Sequence, residues 1–305
     1  MIAFSILEVK RRKRFARHKA TIRAYLFIAP LVISFVIFRL YPSLQTLSYS
    51  FFNVELLKQK ITWVGLKNFL ALWEDEIFLI SFKNTLKYCL YMVLISTIFG
   101  LVLATLLKAQ SKLNSFFKAV YFSPYITSTV ASAMVWWWLY NPQFGLFNAI
   151  LKLFHIPPQP WLNSTKQALM AIIIFSIWKI VGYNIIVFVA GLQAIPKVYY
   201  EAALIDGAGP ITSFFRITLP LLMPTTAFIL IYNTILAFQV FDQVFVLTGG
   251  GPAHASTVMV LEIYQQAFLK YRFGYASAMS AILFSCILLV TILQYILSER
   301  KEVVY

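Results

Sequence analysis

Six apolar runs divide this chain, near residues 24–47, 81–107, 116–140, 167–192, 221–247 and 275–298. Each is about 20 residues or longer, enough to cross a hydrocarbon core of roughly 30 Å at about 1.5 Å per residue. Lipid offers no water to an open backbone N–H or C=O, so segments of this kind must be helical. The expectation is an all-α fold, a polytopic membrane bundle of about six transmembrane helices. Composition agrees, with 60% of residues hydrophobic and only 12% charged. Soluble domains carry about twice that charged share. The expected division is a basic arm at 1–23, a first transmembrane helix with an outer loop at 24–80, the main transmembrane domain at 81–298 and a tail at 299–305.

The net charge of +15 could point to nucleic acid, but its placement points to a membrane. Lys10, Arg11, Arg12, Lys13, Arg14, Arg17, Lys19 and Arg23 stand directly before the first apolar run. That is the positive-inside pattern, which puts the N-terminus in the cytoplasm. An even number of spans returns Arg300 and Lys301 to the same side, and Lys108, Lys112 and Lys118 fall in a cytoplasmic loop. Glu74, Asp75 and Glu76 then lie outside. The basic arm reads as a surface for anionic lipid, not for DNA or RNA. The first span is too long for a cleaved signal peptide and is expected to stay as an anchor. Cys89 and Cys286 sit inside apolar runs as small hydrophobes. Neither they nor His18, His155 and His254 make a disulfide framework or a metal-ligand set. No catalytic His, Cys or carboxylate cluster stands in the spans, which disfavours a membrane-embedded enzyme.

Two absences bear on the energy source. Ion-coupled carriers place carboxylates in the membrane to hold the driving ion. Of 11 Asp and Glu residues here, only Asp242 lies in a run, towards its outer end. A stand-alone secondary carrier is therefore the weaker alternative. ATP hydrolysis needs a phosphate loop, and no G-x-x-x-x-G-K-[ST] occurs. The chain cannot hydrolyse ATP by itself.

Residues 201–220, EAALIDGAGPITSFFRITLP, hold Glu201, Asp206 and Arg216 between two apolar runs. Gly207, Gly209 and Pro210 break this stretch after about two turns of helix, and Pro220 and Pro224 mark the return to the membrane. A charged helix, a break and a second short helix make a surface element that a partner can grip. The spacing resembles the EAA loop of importer-type ABC permeases, with Glu201, Ala202, Ala203, Gly207, Ile217, Leu219 and Pro220 in the motif's places. WVGLKNF at 63–69, NPQFGLFN at 141–148, LTGGGP at 247–252 and GYASA at 274–278 are similar to segments of the carbohydrate-importing, maltose-type branch.

The resemblance implies a permease in a bacterial or archaeal cell membrane that works with a second homologous permease. It also implies two ATPase subunits carrying ATP and Mg, and an extracytoplasmic solute-binding protein. No cofactor is implied on this chain itself. The family's coupling role would fall on Glu201, Ala202, Ala203, Asp206 and Gly207. Its solute contacts would fall on Tyr125, Thr129, Trp178, Tyr183 and Asn233. Ala237 and Val240 stand where the maltose case has polar contacts, which leaves the sugar open. Trp136, Trp137, Trp138 and Tyr140 read instead as an outer aromatic belt. Lys179 falls about 18 Å into its span at the usual helical rise. It must face water, a partner or the pathway, and it keeps glycerol 3-phosphate in view beside sugars and polyols.

Overall fold

The computed structural model describes residues 21, 25–55 and 60–299. The basic residues of the arm, with Arg300 and Lys301, lie outside the described residues. Helix α1 (Tyr25–Tyr49) runs along the outside of the bundle, none of its apolar window buried by the chain itself. A hairpin follows, β1 (Phe52–Glu55) antiparallel to β2 (Lys60–Trp63), with Phe52 opposite Trp63. Then come α2 (Lys67–Glu74), α3 (Glu76–Leu107), α4 (Lys112–Ile126), α5 (Thr129–Leu139), α6 (Leu146–Leu153) and α7 (Ala168–Ala194). The remainder comprises α8 (Lys197–Ile205), α9 (Pro210–Leu221), α10 (Met223–Phe238), α11 (Asp242–Leu247), α12 (Met259–Tyr264) and α13 (Phe273–Glu299).

Four of these, α1, α3, α7 and α13, are each long and apolar enough to cross a membrane. A fifth span follows if α9 and α10, which meet at 63°, are taken together. Hydropathy predicts continuous spans at 116–140 and 221–247, and both are interrupted. At the first, Pro124 lacks an N–H and disturbs the last turn of α4. Thr127 and Ser128 then run extended, with ψ of 154° and 131°. Ser128 opens α5 as its N-cap, its hydroxyl accepting from the Ala131 N–H. At the second, α10 stops at Phe238, and Gln239–Phe241 separate it from α11.

The core lies between α3, α7 and α10. In one half Tyr88, Met92, Ile172, Phe175 and Phe238 pack together. In the other, Ala104, Ile185, Phe188, Leu222 and Ile229 do so. A connected polar cluster of Ser96, Asn184 and Asn233 crosses this core. Asn184 donates to the Ser96 carbonyl at 3.1 Å, and Asn233 donates to Asn184 Oδ1 at 3.2 Å. In lipid such bonds tie helices that the hydrophobic effect alone would not join.

At the hairpin end of the bundle, loops are held by side chains of α2, α3 and α13. Asn68 donates to the carbonyls of Ser50 and Phe52 at 2.8 and 3.0 Å. Asn84 donates to those of Ala255 and Thr257 at 3.2 and 3.0 Å. Asp75 caps α3, accepting from the N–H groups of Ile77 and Phe78, and takes a 2.6 Å bond from the Tyr275 hydroxyl. Burial pushes the Asp75 carboxyl up. The bonds from Tyr275, Phe78 and Ile77 and the charge of Lys270 outweigh it and hold the group below its ordinary value.

Candidate functional site: a cavity and a surface loop

A cavity of about 490 Å³ opens where α3, α7 and the two interrupted spans meet. That size is within the range of roughly 300–1,000 Å³ usual for small-molecule sites. The breaks are what open it. Tyr125 and Thr129 flank the α4–α5 interruption, while Gln239 lies in the one between α10 and α11 and Asp242 and Gln243 follow it, and all five line the cavity. Helix α3 adds Tyr88 and Met92, α7 adds Ser176, Lys179 and Ile180, and α10 adds Tyr232. Several of these groups are bonded to one another. Gln243 donates to the Tyr88 hydroxyl at 2.9 Å, and the hydroxyls of Tyr125 and Tyr232 share a 2.9 Å bond.

The residues expected at a solute site are placed unequally. Tyr125, Thr129 and Lys179 line the cavity. Tyr183 stands behind the wall, its ring 4.9 Å from that of Tyr125 and 4.8 Å from that of Tyr232. Trp178 does not line the cavity; it packs on Trp136 at 5.1 Å and on Phe175 at 6.0 Å. Asn233 is fully buried in the helix-tying network with Asn184. Ala237 is buried in the core, whereas Val240 reaches the cavity. Tyr88, Ser176, Tyr232, Gln239 and Gln243 were not expected from sequence. The run FQVFDQ, three polar side chains within an apolar stretch, was the one local signal for part of this group.

Lys179 has a specific environment. Its ammonium donates to the carbonyl oxygens of Pro124 at 2.9 Å and Thr127 at 2.8 Å. The first oxygen lies in the last turn of α4 and the second in the break that follows it. The cation thus faces the open end of a helix and the cavity at once.

The second feature is the loop at the opposite end from the hairpin. Helix α8 ends in a Schellman turn: Ala208 N–H reaches the Ala203 carbonyl at 2.8 Å and Gly207 N–H that of Leu204 at 3.1 Å. Gly207 takes a φ of +76°, which glycine adopts without strain. Pro210 then opens α9 in its first turn, where a missing N–H costs nothing. The Tyr200 and Thr218 hydroxyls, 3.0 Å apart, tie α8 to the returning chain. Of the expected coupling residues, Glu201, Ala202, Asp206 and Gly207 are exposed and Ala203 faces inward. Leu204 and Ile205 are 71% and 88% exposed beside the turn.

Residues 96–303 match the family described as binding-protein-dependent transport system inner membrane component. The chain is 36% identical over 278 residues to the sn-glycerol-3-phosphate transport system permease protein UgpA of Agrobacterium fabrum (strain C58 / ATCC 33970). That match covers 91% of this chain and 94% of that protein. A crystal structure of a bacterial ABC transporter involved in the import of the acidic polysaccharide alginate contains a chain of the same fold. Its TM-score is 0.83 at 24% identity, covering 94% of this chain and 99% of that one. A second structure, of a bacterial alginate ABC transporter in complex with an alginate pentasaccharide-bound periplasmic protein, gives 0.81 at 25% identity over 92% and 96%. The family match and the extent of the likeness to UgpA agree with the charged loop, and the chain belongs to the family of inner-membrane permease components of binding-protein-dependent ABC importers.

Proposed function

We infer that this chain forms part of the pathway for a saccharide or polyol, neutral or carrying a single charge, delivered by an extracytoplasmic solute-binding protein. The observation that carries this reading is the cavity's lining. Hydroxyls of Tyr88, Tyr125, Thr129, Ser176 and Tyr232 and amides of Gln239 and Gln243 stand among aromatic rings. Sugars are held by just such hydroxyl and amide partners with rings against their C–H faces. One cation and one carboxylate, Lys179 and Asp242, complete its polar lining, and Met92, Ile180, Leu236 and Val240 add apolar surface.

A second reading, glycerol 3-phosphate, has two supports, the solute in the named relative's name and the third N–H that the Lys179 ammonium has to give. Against it, two of those N–H groups are already engaged by carbonyls, and a dianion would share the cavity with Asp242. Coupling in this reading runs through the α8–α9 loop, seated on an ATPase subunit that carries ATP and Mg, with a second permease completing the pathway. Support comes from the rigid Schellman turn and the exposed Leu204 and Ile205 beside charged Glu201 and Asp206. ATP-driven closure of two such ATPases would swing helix sets as rigid bodies.

The test is uptake into proteoliposomes holding the assembled importer, with solutes first identified by calorimetry on its binding protein. Uptake of a neutral saccharide that excess glycerol 3-phosphate does not reduce is the expected result. Full competition by glycerol 3-phosphate would favour the second reading, and uptake without ATP would overturn the importer assignment.

A further inference from the structure

We propose that Lys179 is a positioning residue that clamps the interruption between α4 and α5 and so sets the wall of the cavity. Breaking a helix at membrane depth leaves carbonyls without their usual donors, and lipid supplies none. Pro124 has no N–H, and the extended Thr127 and Ser128 cannot continue the helical ladder. The Thr127 hydroxyl donates to the Pro124 carbonyl at 2.7 Å, and the Ser128 side chain serves α5. The Thr127 carbonyl is met by Lys179, which also gives a second donor to Pro124. The cation sits, moreover, at the C-terminal, negative end of the α4 dipole.

Close packing brings the ammonium there. Gly182 lies three residues after Lys179, on the same face of α7. A Cβ at Gly182 would overlap the Tyr121 carbonyl oxygen, so only glycine lets α7 lie this near α4. The residues on either side of the clamped break, Tyr125 and Thr129, both face the cavity. Lys179 thus acts on the solute site through the backbone that carries them. Its effect on transport rests on the reading of this cavity as the solute pathway; its effect on the backbone does not.

The experiment uses the assembled importer in membranes, with Cys89→Ala, Cys286→Ala and Thr129→Cys in this chain. The rate at which a small polar methanethiosulfonate labels the introduced thiol reports the break. Lys179→Met, similar in length but without donors, is expected to change that rate at least tenfold. Lys179→Arg, which keeps charge and donors, should stay within threefold, and so should Lys166→Met at an exposed lysine. Loss of Lys179→Met from the membrane alongside normal accumulation of Lys179→Arg also supports the clamp, because a lysine that only touches solute is dispensable for assembly. Equal labelling in Lys179→Met and the parent overturns it, as does Lys179→Arg behaving like Lys179→Met. If labelling shifts while uptake is unchanged, the clamp stands and the cavity is not the solute pathway.

Discussion

Asn233 and Tyr275 show how single polar groups serve the bundle. Asn233 is completely buried, and its Oδ1 has no partner among the described residues although its amide donates to Asn184. Asn233→Ala is expected to cost about 1 kcal/mol of stability through the lost interhelical bond. Solute affinity should be unchanged, as measured by thermal unfolding in detergent and by uptake. Tyr275→Phe removes the 2.6 Å bond to Asp75, at a cost of about 1 kcal/mol near neutral pH, kept small by the carboxylate's partial exposure. Because that bond holds the folded carboxyl below its unfolded value of about 3.9, the stabilisation is present above that pH. It is lost as pH falls through the lower, folded value. The gap in melting temperature between parent and Tyr275→Phe should therefore narrow below about pH 4.

Among the elements, the α8–α9 loop carries the clearest link from sequence to structure. Its turn chemistry is local: Gly207 supplies the left-handed residue and Pro210 the first helical turn, so spacing alone placed both. Gly207→Pro would force φ towards about −65° and delete the N–H that reaches Leu204. Uptake is expected to fall at least tenfold, with reduced recovery of the ATPase subunit in pull-downs and normal insertion of this chain. Ile205→Asp should reduce recovery in the same way, since it puts charge on the most exposed apolar tip of the loop. The break between α4 and α5 was not read from sequence, although Pro124 and Ser128 both signal one. Hydropathy over a window of about 19 residues averages across a two-residue interruption. What stabilises that break is a lysine 52 residues further on, which no local pattern reports. The cavity was legible only in part for the same reason. Tyr125 and Thr129 were found from resemblance, whereas Tyr88, Ser176 and Tyr232 are single polar groups in apolar helices that converge only on folding. Trp178 shows the converse, an aromatic side chain whose residue type does not separate packing from contact.

For the whole molecule, the broad apolar exterior of α1, α4, α5 and α13 agrees with a chain that lives among lipid and partner helices. The hairpin end and the α8–α9 end lie at opposite ends of the long helices, so they should face opposite sides of the membrane. Thiols introduced by Gln143→Cys and Asp206→Cys are expected to label from opposite faces of right-side-out vesicles; labelling of both from one face would contradict this arrangement. We infer that solute crosses through the cavity while the distant loop couples its passage to ATP. The most direct measurement is uptake and binding-protein-stimulated ATPase in one proteoliposome preparation carrying Thr129→Trp, which fills the cavity and leaves the loop untouched. Uptake should fall at least tenfold with ATPase stimulation kept within about twofold, a separation of more than about 1 kcal/mol between the two functions. Parental uptake in this variant would contradict the account.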